Sequence, residues 1–234
     1  VEKILNIYCE RGGDPGFWGE PLNAITNGAF LIAGFLLIRS ARQDRTMLSW
    51  LLTLLVILIG VGSFLFHTFA ERWAGLADVI PIGFFMVAAV YAITRRGLGG
   101  SFLVGALAII GFIALMVLAS RFGHLVTPQL GATIMYLPAF FVLIVSGAYL
   151  ALARRPGGLA LVTAGLVFGT SLTMRAVDLP YCDYLTIEGL RIGSHFLWHL
   201  LNGVTLYLVT AVLIQLSPHA TAGRTAVSLR DITE

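Results

Sequence analysis

The chain has 234 residues, of which 58% are hydrophobic and 12% charged, with a formal net charge of +3 at pH 7. A soluble domain carries about 25% charged residues, and the mean hydropathy here is +0.89, which excludes a water-soluble globule and makes this an integral membrane protein. The small positive charge reports topology rather than a polyanionic partner, and no nucleic-acid-binding signature is present.

Seven segments approach the roughly 20 apolar residues that a transmembrane helix needs. They lie near 21–38, 48–66, 76–94, 102–119, 129–152, 159–177 and 192–216. The ten-residue alternation of a transmembrane barrel is missing. Since only helices or closed barrels satisfy the backbone in lipid, the fold class is an all-α seven-helix bundle. Residues 1–216 read as one domain, and 217–234 as a polar, poorly ordered tail that includes His219.

The first stretch with chemistry is the loop Tyr8–Glu20, which holds Glu10, Asp14 and Glu20 among glycines. Three carboxylates suit the oxygen ligation of calcium; a solvated acidic loop, with Trp18 at the interface, would read the same way. Asn23 and Asn27 follow four apart, a spacing that favours hydrogen bonding across a helix seam. The second span ends with Ser63 and His67 on one helix face. Asp78 opens the third, either as a helix cap or as a base beside a reactive centre.

Spans four and five offer little chemistry. His124 reads as solvated and Pro138 as a kink. Met86, Met135, Tyr136, Phe140 and Phe141 either pack or line an acyl-chain pocket. Trp50 and Trp73 suit the interfacial belt. Span six closes with Arg175 and Asp178, three apart and able to pair. Cys9 and Cys182 are the two cysteines, both on the same side of the membrane. If that side is oxidising, a disulfide pins the N-terminal loop to the loop before span seven; two separate buried thiols are the other reading.

Span seven begins with His195 and His199, which share a helix face. Two polar residues on a helix seam would satisfy that pattern. His67 lies at the same end of its own span, so three imidazoles reach one depth if spans two and seven are neighbours. Three histidines with an open fourth position make a catalytic zinc site, and intramembrane ionisable groups mark function. The zinc would acidify a bound water, Asp78 would take its proton, and Ser63 would donate to the oxyanion. The pair is not the zincin motif, because Phe196 stands where a Glu would be the base.

Seven spans put the termini on opposite sides. The C-terminal side holds Arg39, Arg42, Arg45, Arg95, Arg96, Arg154, Arg155, Arg224 and Arg230, nine basic residues. The N-terminal side holds Lys3, Arg11, Arg72, Arg121, Arg175 and Arg191, six. The excess predicts a cytoplasmic C-terminus and an extracytoplasmic N-terminus.

Tyr8-Cys9-Glu10, Glu20-Pro21-Leu22-Asn23, Gly62-Ser63 with His67, Asp78 with Pro81, Arg175 with Asp178, Cys182 and Asp183, and His195-Phe196 with Trp198-His199 run in order along most of the chain. This set resembles the CREST superfamily of seven-helix membrane hydrolases, and within it the alkaline ceramidases. The resemblance implies zinc on His67, His195 and His199, catalytic roles for Ser63 and Asp78, and a Cys9–Cys182 disulfide. The implied activity is hydrolysis of the amide bond of ceramide to sphingosine and fatty acid, with a membrane lipid as substrate and no obligatory protein partner. It also implies calcium in the N-terminal loop, with Glu10 and Glu20 as acidic ligands and Tyr8 as a carbonyl position. Here the chain departs from the pattern: Ile7 replaces an Asp and Gly12 an Asn, leaving Asn6 or Asp14 to compensate. Short loops look bacterial, which would place the protein in the inner membrane and leaves the native N-acyl lipid open. A receptor of the adiponectin-receptor type shares the zinc triad but has the opposite orientation. A transporter using buried polar residues as a relay predicts ionisable groups strung across the membrane, whereas these cluster at one end.

Overall fold

The computed structural model describes residues 2–218. Eight α-helices, α1 (Pro21–Thr26), α2 (Gly28–Asp44), α3 (Met47–Phe69), α4 (Arg72–Ala92), α5 (Phe102–Val126), α6 (Leu137–Leu152), α7 (Gly158–Val177) and α8 (His195–Gln215), build seven spans, with α1 and α2 sharing the first. The tail expected from residue 217, with His219, lies outside the described residues from 219 onward.

Neighbours in sequence pack side by side from α2 to α8, and α8 closes the ring against α2 while also touching α3 and α4. The last span is therefore the central one: 61% of its apolar window is buried, against 11% for the span of α5. Large apolar residues such as Ile32, Phe35, Leu54, Ile110 and Leu166 point outward, as lipid-facing positions must when the solvent is hydrocarbon. Trp18, Trp50 and Trp73 are exposed near span ends.

Two expectations about the spans change. Pro138 does not kink a helix. A 3-10 segment (Pro128–Tyr136) precedes α6, and Pro138 falls in the first turn of α6, where its missing N–H costs nothing. The irregularity sits at Gly131 instead. The last helix starts at His195 rather than 192, because Gly193 at φ +67 takes the chain out of helical geometry.

At the C-terminal end of the bundle, Asp44 accepts hydroxyl hydrogen bonds from Thr46 and Ser49. Arg96 reaches the same carboxylate at 3.7 Å and donates to the Leu213 carbonyl at 2.8 Å. This network joins α2, α3 and α8 to the π-helical turn (Ile93–Gly97) that follows α4. At the other end, a short antiparallel pair (Thr186–Ile187 with Leu190–Arg191) leads into α8.

The contact between α3 and α4 depends on Gly62. Pro81 has no N–H to return to the Ala77 carbonyl, and that carbonyl faces Gly62, where a Cβ would collide with it. The two helices can approach only because this position carries no side chain. Gly62→Ala is expected to destabilise the fold by about 1–3 kcal/mol through overpacking, read as a lower thermal midpoint in detergent.

Candidate metal centre

His67 lies in the last turn of α3, and His195 and His199 in the first two turns of α8. All three rings are almost fully buried. Their centroids are 4.7–5.2 Å apart, and one ligand nitrogen from each lies within 4.8 Å of the others. The condition set by the sequence, that spans two and seven be neighbours, is met.

The hydrogen-bonding of the rings fits a metal. Nδ1 of His67 bonds Glu20 Oε2 at 2.5 Å, and Nδ1 of His199 bonds the Thr26 hydroxyl at 3.0 Å. In both rings Nε2 is buried without a partner, as is Nδ1 of His195. A polar atom left unpaired in an apolar interior is costly, and a cation shared by the three rings would satisfy the cluster. A partner on the far nitrogen is also how metal-ligating histidines are oriented. These three residues could therefore hold a metal ion.

Asp78 is buried on α4, one turn before Pro81. The Ser63 hydroxyl lies close by across the α3–α4 contact, and Asp78 Oδ1 is buried without a partner. Ser63 is one turn from His67 on α3, so the Gly62 contact that draws α3 onto α4 also sets this carboxylate beside the triad. An apolar cavity lies beside α8, lined by Ile59, Phe85, Met86, Tyr136, Trp198 and Asn202 among others, and Trp198 and Asn202 flank His199 in the sequence of that helix. Of the residues left open between packing and pocket, Met86 and Tyr136 line this cavity, while Phe140 and Phe141 line outer grooves.

Cys9 and Cys182 form a disulfide across 173 residues of chain. Next to it, the expected Arg175–Asp178 pair is not made. Asp178 accepts from the backbone N–H of Cys9 at 2.9 Å, Ser194 at 2.7 Å and His195 at 2.9 Å. It thus caps α8 from outside, and its charge suits the positive end of the helix. Gly193 permits this approach, since a Cβ there would meet the Asp178 carboxylate. Arg175 instead lies over the rings of Tyr8, Tyr136 and Trp198 at 5.6–5.8 Å, a cation held by aromatic faces.

The N-terminal loop folds over the triad. The Tyr8 ring stacks on His195 at 3.9 Å between centroids. Glu10 accepts from the backbone N–H groups of Leu22 and Asn23, capping α1, and Asp14 accepts from Gly16. Glu20 is buried between His67, Arg11 and Asn23; burial works against its charge, but these partners hold its carboxyl below the usual range. Glu10 is pushed up by burial, only partly offset by the two N–H groups. Asn23 and Asn27 do not bond across a seam: Asn23 turns to Glu20, and Asn27 to the Asn23 carbonyl in its own span.

Three contributors escaped the sequence reading. Thr26 holds His199, Glu20 holds His67 rather than standing free, and Arg11 holds Glu20. Thr26 had a signal, since it lies one turn from Asn23 on the same short helix; the contacts of Glu20 had none, because irregular loop geometry brings Arg11 to it from nine residues away and His67 reaches it from another segment 47 residues on.

The family model described as Ceramidase matches residues 16–229. No curated protein matches the chain.

Removal of the Asp178 carboxylate is expected to leave three buried N–H groups unpaired, each worth about 1–3 kcal/mol. Asp178→Ala should therefore lower the thermal midpoint more than Gly62→Ala does, as measured by intrinsic fluorescence in detergent.

Proposed function

The chain belongs to the ceramidase family, and from that premise we propose that it is a zinc-dependent amidase, cleaving the amide bond of ceramide to sphingosine and a free fatty acid. The observation that carries this reading is the set of three buried, partner-poor imidazoles gathered within 4.8 Å beside Asp78 and Ser63. Three nitrogen ligands are the donor set of catalytic zinc, with a fourth position left for water or substrate.

Zinc on His67, His195 and His199 would supply a water acidic enough to lose its proton near neutral pH. Asp78, with Oδ1 unpartnered, would hold the proton given up by the attacking water and deliver it to the leaving amine. Ser63 donates its hydroxyl to the carbonyl oxygen as negative charge grows there. Glu20 and Thr26 fix the tautomers of His67 and His199. The cavity along α8 takes the acyl chain. Its lining is almost wholly hydrocarbon, so a related N-acyl lipid would enter as readily and the headgroup decides between them.

Nine basic residues on the C-terminal side against six on the N-terminal side support a cytoplasmic C-terminus. The Cys9–Cys182 disulfide supports an oxidising compartment for the side that bears the triad. This orientation favours the amidase over a receptor of the adiponectin-receptor type, whose zinc lies near the cytoplasmic side.

The deciding assay incubates purified protein with a panel of ceramides and other N-acyl lipids, with and without a zinc chelator. Free fatty acid release that the chelator stops is expected. His67→Ala, His195→Ala and His199→Ala should each lose bound zinc by elemental analysis and lose hydrolysis; full activity in any one refutes the reading. Asp78→Asn should keep its zinc while turnover falls by about 10²–10⁴-fold, and a wild-type rate would remove Asp78 from the mechanism.

A further inference from the structure

The loop that the family resemblance assigns to calcium carries a cation of its own. Arg11 is only 2% exposed, and its guanidinium is surrounded by oxygen. Nε donates to Glu20 Oε1 at 2.5 Å. Nη1 donates to the carbonyls of Asp14 at 2.9 Å and Gly16 at 3.1 Å, and Nη2 to the carbonyl of His67 at 2.6 Å. A carboxylate and three carbonyls are the donors that calcium takes from a protein loop, and here all four face a planar, permanently charged side chain. The other acids of the loop are engaged with backbone: Glu10 caps α1 and Asp14 closes its own turn. Among the described residues, the only His, Cys, Asp or Glu trio gathered closely enough for a metal is the imidazole triad.

We propose that Arg11 is a resident cation that takes the place of calcium in this chain, and that it is a positioning residue for the metal centre. It holds one oxygen of Glu20, leaving the other for Nδ1 of His67, and it also grips the backbone carbonyl of His67. One side chain thus fixes both the main chain and the ring of a triad member, with Nε2 left unpartnered. A second, divalent cation in this cradle would meet a fixed positive charge and find its oxygens taken. The loop is therefore organised at any calcium concentration. The positioning part rests on the zinc reading above; the calcium part does not.

Two measurements on the full chain in detergent test this. First, thermal unfolding of the wild type is compared in buffer freed of calcium on a chelating resin and in millimolar calcium. The expected result is one melting temperature in both and no calcium found by elemental analysis. A saturable rise in melting temperature, or stoichiometric calcium, overturns the proposal whatever the enzyme hydrolyses. Second, Arg11→Ala is expected to weaken zinc binding about 10–100-fold, with recovery in methylguanidinium but not in methylammonium. Unchanged zinc affinity in folded Arg11→Ala overturns the positioning role. If that variant fails to fold, Arg11→Lys, which keeps the charge and loses the fork, is measured instead: weaker zinc binding supports the role and wild-type affinity overturns it. A wild type that binds zinc but hydrolyses no lipid amide would sink the amidase reading and leave both measurements of Arg11 standing.

Discussion

The carboxylate of Asp178 gathers three backbone N–H groups, one from Cys9 near the start of the chain and two from the entry to α8. Without an acceptor there, the first turn of the central helix would open into a buried space with its donors unpaired. Two of the three clustered imidazoles depend on that fixing. His195 is the first residue of α8 and His199 follows one turn later, so holding the N–H of His195 sets the depth and rotation of both rings. The neighbouring disulfide keeps the N-terminal loop in place, and the loop in turn stacks Tyr8 on His195 and brings Glu20 to His67.

Among the described residues, the buried ionisable groups of this bundle gather at its two ends. The triad, Asp78, Arg175 and Asp178 lie at one, and the Asp44–Arg96 network at the other. Between them the cavity is apolar, with Asn202 and Thr205 as its polar points. A proton or ion pathway needs ionisable groups in steps across the membrane. A hydrolase needs them at the depth where the scissile bond of a lipid lies, with hydrocarbon below to receive the tail. The distribution matches the second requirement. Arg175 shows how such a site keeps a charge in an apolar setting: three aromatic faces stand in for water around the guanidinium.

The spans were legible because lipid imposes one rule, about 20 apolar residues per helix, and each segment read from the sequence overlaps a span of the structure. The triad was legible because i, i+4 spacing and a shared span end place side chains without any knowledge of tertiary packing. What stayed hidden came from long-range pairing. Arg175 and Asp178 are adjacent on one helix face, yet each finds a better partner from another segment: aromatic rings for the cation, helix-end N–H groups for the acid. Glu10, Glu20 and Asp14 were hidden for a different reason, the irregular path of their own loop. Their carboxylates looked like one acidic cluster, but in the fold they point at a helix end, an arginine and a turn. Pro138 illustrates the local version: a proline inside an apolar run signals a break, but not on which side of it the helix begins.

The candidate metal centre draws its imidazoles from α3 and α8, its supporting groups from the chain that precedes α2, and its outer brace from a disulfide linking residues 173 apart. During synthesis, six spans emerge before the pair of histidines on the seventh exists. A nascent or truncated product therefore presents His67, Ser63 and Asp78 with nothing to complete them. The three-imidazole set is complete only once the last span has packed against α2, α3 and α7, because the six earlier spans carry just one of its rings.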